Sequence, residues 1–416
     1  MAKLIIKGGK KLQGSIKVSG MKNAATPILA ACLLANKKCI IKNVPDITDV
    51  RTMFKILESL GLNIIYKNHT ATIEPGAIKI DNLKQELVKK LRSSILILGP
   101  LLSRLGKISL PEPGGCIIGK RPIDTHLYAF EKLGAKISHR GDKVFIEGKN
   151  LKGNLIVLPE FSVTATENLL MAACLARGRT IIKLAAIEPH IVDLISFLNK
   201  LGANIKQTIG HTIVIEGVKK LGGAEHTIIP DNIEAGTLIV AGLITRGKIV
   251  LEGINHSHMD SVYSLLEYIG VNLEIEKNTL TVSVKSRLKS FKLQSMPYPG
   301  FPTDLQAPFG ILATQCRGTS LIHDPMYEGR MGYVNELIKM GANATICDPH
   351  RVLITGSTKL KGADIKGLDL RAGATLVLAG LIAEGTTTVF GAENLDRGYE
   401  RFDKRLNKLG GEIIRK

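Results

Sequence analysis

The chain has 416 residues, 44% of them hydrophobic but only 4% aromatic and none tryptophan, enough for two domains with aliphatic cores. Its longest apolar runs, such as residues 27–35 and 374–383, fall short of the roughly 20 residues a membrane span needs, the first residues show no signal-peptide apolar region, and six scattered cysteines without C-x-x-C spacing exclude a disulfide framework, a zinc site and a dithiol redox pair. A net charge of +19, from 56 basic against 37 acidic residues, is spread along the chain without basic blocks or a nucleic-acid-binding motif, so the expectation is a soluble cytoplasmic protein with a solvated basic surface and a small anionic substrate, with no nucleic acid, membrane or obligate protein partner.

One pattern recurs six times: an apolar residue, a glycine and a small or apolar residue, then a strand-like run. The copies are Leu60-Gly61-Leu62-Asn63-Ile64, Leu133-Gly134-Ala135-Lys136-Ile137, Leu201-Gly202-Ala203-Asn204-Ile205, Ile269-Gly270-Val271-Asn272-Leu273, Met340-Gly341-Ala342-Asn343-Ala344 and Leu409-Gly410-Gly411-Glu412-Ile413. The glycines return about every 70 residues, a period that marks a repeat architecture. Amphipathic runs at helical spacing precede them, as in Val192-Asp193-Leu194-Ile195-Ser196-Phe197-Leu198. Each glycine then suits a left-handed helix C-cap.

Between these motifs lie helix-like runs rich in small residues: 24–35, 93–102, 165–176, 235–244, 306–314 and 372–383. Most lead through a basic or glycine-containing turn into a strand, as in Arg177-Gly178-Arg179-Thr180-Ile181-Ile182-Lys183. Six such units predict an α/β protein of two domains with three units each, the small-residue helices inside and the sheets outside.

Chemistry concentrates in Pro113-Gly114-Gly115-Cys116-Ile117-Ile118-Gly119-Lys120-Arg121-Pro122-Ile123-Asp124. Glycines and prolines make it a loop. Lys120 and Arg121 favour a thiolate on Cys116. The other cysteines read as inert packing groups: Cys32 and Cys174 in helical runs, Cys39 and Cys347 beside isoleucine in strands, and Cys316. His256-x-His258 lacks a third ligand, so no metal site is expected. His126, just after the loop, reads equally as a substrate contact or a surface histidine. No phosphate-binding glycine motif points to ATP or a nicotinamide, and no cofactor is expected.

With these motifs in place, the whole chain resembles the enolpyruvyl transferases, in the branch with a cysteine loop and a UDP-sugar acceptor. Further matching segments are Gly20-Met21-Lys22-Asn23-Ala24-Ala25, Leu91-Arg92-Ser93-Ser94, Ser162-Val163-Thr164-Ala165-Thr166-Glu167-Asn168, Pro230-Asp231-Asn232-Ile233-Glu234, Pro302-Thr303-Asp304-Leu305-Gln306, Tyr327-Glu328-Gly329-Arg330, Asp369-Leu370-Arg371 and Asp396-Arg397-Gly398-Tyr399. The resemblance implies a two-domain inside-out α/β barrel. The first domain would be 22–229 with a closing loop at about 112–122, the second 1–21 plus 230–416, and the active site would lie in the cleft between them.

The implied reaction moves the enolpyruvyl group of phosphoenolpyruvate to the 3-hydroxyl of UDP-N-acetylglucosamine with release of phosphate, the first committed step of peptidoglycan synthesis. Cys116 would protonate carbon 3, form an adduct with phosphoenolpyruvate and be alkylated by fosfomycin. Asp304 would be the base. Lys22, Asn23, Arg121, Arg330, Arg371 and Arg397 would surround phosphoenolpyruvate, with Lys22 and Arg397 among the catalytic groups. Arg92, Arg121, Pro122, Ile123, Asp124, Thr125, Ser162, Val163, Thr164, Asp304 and Met326 would hold the UDP-sugar. Asp369 and Asp396 would orient their neighbouring arginines. Helix capping is the alternative role for Asp304. Where the family carries glycine, this chain has Thr164, which a left-handed backbone would not suit. The alternatives are a transferase using shikimate 3-phosphate and a non-catalytic basic binding protein.

Overall fold

The computed structural model describes residues 2–111, 119, 121–141 and 143–416. Two compact units emerge among the described residues, one from residues 20–111 and 121–229, the other from residues 2–19, 119 and 230–416. Each has its own aliphatic core. Among the described residues no helix is long and apolar enough to cross a membrane.

The small-residue runs are helices: Lys22–Ala31, Leu98–Leu105, Val163–Ala173, Asn232–Ile244, Gln306–Ala313 and Leu370–Ile382. Every residue of Asn232–Ile244 is buried, as is nearly every residue of Leu370–Ile382. A helix apolar on all sides has no solvent face to offer, and alanine and glycine let its neighbours approach closely. Gly99 shows how close: a Cβ there would stand 2.3 Å from the carbonyl oxygen of Asn168. Pro100 follows in the first turn, where its missing N–H costs nothing. The residues ahead of it, Arg92–Ile97, wind as a tighter 3-10 turn rather than as part of the helix.

The amphipathic runs are the helices Thr48–Ser59, Asp124–Lys132, Pro189–Lys200, Asp260–Tyr268, Gly332–Lys339 and Phe402–Lys408. Each ends at one of the six motif glycines, whose φ values lie between 92° and 104°. Gly202 N–H reaches the Asn199 carbonyl at 2.9 Å and Ala203 N–H the Leu198 carbonyl at 3.0 Å, and the other five copies close in the same way. At Gly202 a Cβ would meet nothing within 4 Å, so the demand is for the backbone conformation alone. Gly202→Ala is expected to cost about 1–2 kcal/mol, and Gly202→Asn less, because asparagine visits this region more readily. Urea denaturation measures both, and a neutral alanine variant would contradict the account.

Each unit carries three small sheets among the described residues. In five of them a short edge strand pairs in parallel with an antiparallel set of three, as Leu155–Val157 does with Arg179–Lys183. Strand Lys3–Lys7 lies between Thr386–Phe390 and Ile413–Arg415, so both ends of the chain share one sheet. Buried positions alternate along the strands, as in Lys248–Glu252, where Ile249 and Leu251 face the core. Cys32, Cys39, Cys174 and Cys316 are buried, but Cys347 is exposed, on the solvent side of strand Asn343–Asp348.

Candidate active site

In the unit containing Pro230–Lys416, three residues that are distant in sequence converge. Asp304 lies in the 3-10 turn Thr303–Leu305 that opens helix Gln306–Ala313. One of its oxygens accepts from Arg330 Nη2 at 2.8 Å. The other accepts from Arg371 Nη2 at 2.8 Å and Nε at 3.2 Å. Both arginine side chains are almost wholly buried, at 10% and 6% exposure, and the aspartate keeps 21%. Burial alone would push the Asp304 carboxyl up, but Arg371 and Arg330 overcome it and hold the group well below the usual carboxylate range. Asp304 is thus an ion-pair partner, not a helix cap.

The arginines are themselves held. Arg330 Nη1 donates to Thr303 Oγ1 at 2.9 Å, and the Thr303 hydroxyl donates to Asp324. Gln306 Nε2 reaches the Arg330 carbonyl at 3.3 Å. The Arg330 and Arg371 guanidiniums lie 4.9 Å and 5.2 Å from the ring centres of Tyr327 and Tyr399. Burial opposes the charge on Arg371, but Tyr399, Asp304 and Asp231 more than offset it, and this arginine stays protonated. After all these contacts, Arg330 Nε and Arg371 Nη1 remain buried donors without a hydrogen-bond partner among the described residues. Two open N–H groups on two fixed cations suit an anion.

Arg371 is the second residue of helix Leu370–Ile382, and Asp369 caps that helix through the N–H groups of Arg371 and Ala372. Asp369 therefore holds the backbone of its neighbour, while the side chain goes to Asp304. Asp396 departs from expectation: both its oxygens take Arg415, each at 2.7 Å, not Arg397. Arg397 ends the 3-10 turn Ala392–Arg397. Met326 is part exposed, and its N–H is held by Asp324 at 3.0 Å.

In the other unit, Lys22 and Asn23 open helix Lys22–Ala31, and Lys22 pairs with the buried Asp49 at 2.9 Å. Arg92 donates to the carbonyl of Arg121. Pro122 and Ile123 lead into helix Asp124–Lys132, where the Thr125 hydroxyl donates to Glu160 at 2.8 Å. Ser162 caps helix Val163–Ala173. Thr164 lies inside that helix with no positive φ, so the threonine carries no backbone strain. His126 is buried, not a surface group. It contacts Thr164 Oγ1 at 3.0 Å and Asn168 Nδ2 at 3.0 Å. Burial, then the charge of Arg92, lowers its pKa to about 3. Cys116 and Lys120 lie outside the described residues.

Sequence reasoning passed over Thr303, Asp324, Tyr399 and Asn168 as functional groups. Membership in the segments that carry the resemblance was the only signal for Thr303, Tyr399 and Asn168, and Asp324 lies in none of those segments. His256 bonds Tyr263 Oη at 2.7 Å and the Glu276 carbonyl at 2.8 Å, so both its ring nitrogens are occupied within the protein.

Two α/β units with buried helices, one of them gathering guanidiniums on a single carboxylate, have the fold of the enolpyruvyl transferases. The crystal structure of the enolpyruvyl transferase NikO from Streptomyces tendae superposes with a TM-score of 0.91 at 25% identity, covering 100% of this chain and 98% of that one. The chain belongs to the family described as EPSP synthase (3-phosphoshikimate 1-carboxyvinyltransferase), whose match spans residues 6–406. Among curated relatives, UDP-N-acetylglucosamine 1-carboxyvinyltransferase 1 of Caldanaerobacter subterraneus subsp. tengcongensis is 45% identical over 414 residues, covering 100% of this chain and 99% of that protein. UDP-N-acetylglucosamine 1-carboxyvinyltransferase of Methylacidiphilum infernorum is 44% identical over 418 residues with the same coverage.

Proposed function

We propose that the protein transfers the enolpyruvyl group of phosphoenolpyruvate to the 3-hydroxyl of UDP-N-acetylglucosamine and releases phosphate, the first committed step of peptidoglycan synthesis. The observation that carries this reading is Asp304 clasped between Arg330 and Arg371, each of which keeps a buried N–H without a partner among the described residues. An acid-base carboxylate and a seat for a substrate anion share one place. The full-length relatives named for this activity supply the acceptor.

In this reading Arg330 and Arg371 receive an anionic group of phosphoenolpyruvate, and Lys22, Asn23, Arg121 and Arg397 balance the remaining charge. The incoming anion competes with Asp304 for the guanidiniums. As they turn to it, the carboxylate loses its counter-charges and gains basicity, at the moment when the sugar hydroxyl must give up its proton. Cys116 protonates carbon 3, the sugar oxygen bonds to carbon 2, and the adduct then returns the carbon 3 proton and expels phosphate. Arg92, Pro122, Ile123, Asp124, Thr125, Ser162, Val163, Thr164 and Met326 hold the UDP-sugar. Each unit is read as an inside-out α/β barrel of three repeats, supported by helices buried all round and three sheets per unit.

The test is phosphate release from phosphoenolpyruvate by wild type and Cys116→Ala, with UDP-N-acetylglucosamine or with shikimate 3-phosphate. Release that requires the UDP-sugar and falls by about 10²-fold or more in the variant is the expected result. Turnover on shikimate 3-phosphate alone points to the other acceptor, and silence on both to a binding protein.

A further inference from the structure

We propose that His126 and Asn168 set the direction of the Thr164 hydroxyl, so that it donates a hydrogen bond to a phosphate oxygen of the UDP-sugar's diphosphate. This rests on the function proposed above and adds two positioning residues and a polarity to it.

The polarity follows from a chain of bonds with no ambiguous link. Gly99 N–H donates to Asn168 Oδ1 at 2.8 Å, which identifies the oxygen of that amide. The amide nitrogen donates to the Ile95 carbonyl at 3.0 Å and meets His126 Nδ1 at 3.0 Å. His126 Nδ1 must accept there, so in the neutral ring the proton sits on Nε2. Nε2–H then donates to Thr164 Oγ1 at 3.0 Å. Asn168 and His126 are buried, and helix Leu98–Leu105 presses on Asn168 at Gly99, so the relay is rigid.

The Thr164 hydroxyl thus accepts from within and keeps its own proton to give. Threonines inside helices ordinarily spend that proton on the carbonyl four residues back. Thr166 does so to Ser162 at 2.8 Å, Thr237 to Ile233 at 2.8 Å and Thr375 to Arg371 at 2.9 Å. Thr164 sits in the first turn, four residues after Glu160, which lies outside the helix, and its proton has no acceptor among the described residues. The side chain is half-buried at a helix start, where the first N–H groups also lack intrahelical partners. The charge of Arg92 bears on the same imidazole. A committed donor takes an acceptor oxygen, and its hydrogen bond is strongest to an anionic one.

Three variants test this in steady-state kinetics, with binding of UDP and of uridine measured by calorimetry. Thr164→Val keeps the shape and loses the donor. It is expected to raise KM for UDP-N-acetylglucosamine about tenfold or more, leave kcat and the KM for phosphoenolpyruvate within about twofold, and weaken UDP but not uridine. Thr164→Ser is expected to restore the wild-type KM. His126→Phe is expected to reproduce the valine effect, and the double variant to add nothing further. An unchanged KM for the UDP-sugar in Thr164→Val overturns the inference, as does equal weakening of uridine. A His126→Phe enzyme with normal KM overturns the relay. A wild type without UDP-sugar-dependent release instead overturns the functional reading beneath it.

Discussion

Asp304→Asn is expected to slow turnover by about 10²–10⁴-fold and at the same time to tighten the hold on phosphoenolpyruvate. The slowing follows from loss of the base. The tightening follows from geometry, because Asp304 occupies three guanidinium N–H groups that a substrate anion needs. Asparagine still offers one oxygen but no charge to compete. The fold should suffer too. Two buried guanidiniums left without their shared anion cost about 3–5 kcal/mol, toward the lower end here because Asp304 is partly exposed. Millimolar inorganic phosphate should return much of that stability to the variant and little to wild type, by binding the folded state alone. Stopped-assay kinetics, a phosphoenolpyruvate titration and thermal melts with and without phosphate give the three readouts. Weaker phosphoenolpyruvate binding in the variant would show that Asp304 assists the anion instead of competing with it. The pH sense is also fixed. A carboxyl held below its unfolded value of about 3.9 contributes stability that is present above that value and lost as pH falls through the folded value. Asp304→Asn should therefore lower the neutral plateau of the stability curve and flatten its acid limb.

The second large effect belongs to Arg371→Lys, expected to lower kcat by about 10²–10³-fold despite conserving charge. Arg371 uses a fork: Nε and Nη2 on Asp304, Nη1 left open, and a flat face toward Tyr399. An ammonium on a flexible stem reproduces none of these together. Arg371→Met should be similarly inactive and still less stable at neutral pH, because it leaves Asp304 with Arg330 alone. A lysine enzyme with near-normal kcat would mean that only net charge is needed at this position.

What the sequence disclosed follows the range of the interactions involved. The six C-caps were legible because a left-handed residue after a helix asks for glycine, a purely local demand. The buried helices were legible because alanine and glycine run through all their faces. The parallel edge strands were not. Four of the five are three residues long, as in Glu225–Thr227 or Lys292–Gln294, too short for an alternation to register, and the fifth, Gln13–Lys17, buries only Ile16. Asp304 was legible as a candidate through its segment, but its partners lie 26 and 67 positions away, beyond any local pattern. The same distance misled the reading of Asp396, whose neighbour Arg397 was the obvious partner, whereas the structure gives it Arg415. His126 was left open between substrate contact and surface group because a single histidine carries no periodicity. Its burial is set by Asn168 and the close approach at Gly99.

The sheet that unites strand Lys3–Lys7 with Thr386–Phe390 and Ile413–Arg415 imposes an order on synthesis. A ribosome makes the middle strand first and both its neighbours last. At about 5–20 residues per second the early strand waits roughly 20–80 s for its partners. Meanwhile the inserted unit, Gly20–Ile229, has all the residues of its own core and can finish. A nascent chain halted before residue 386 would carry Leu4 and Ile6, fully buried in the finished protein, with nowhere to bury them. Such a chain is the species a cell's chaperones and proteases would meet.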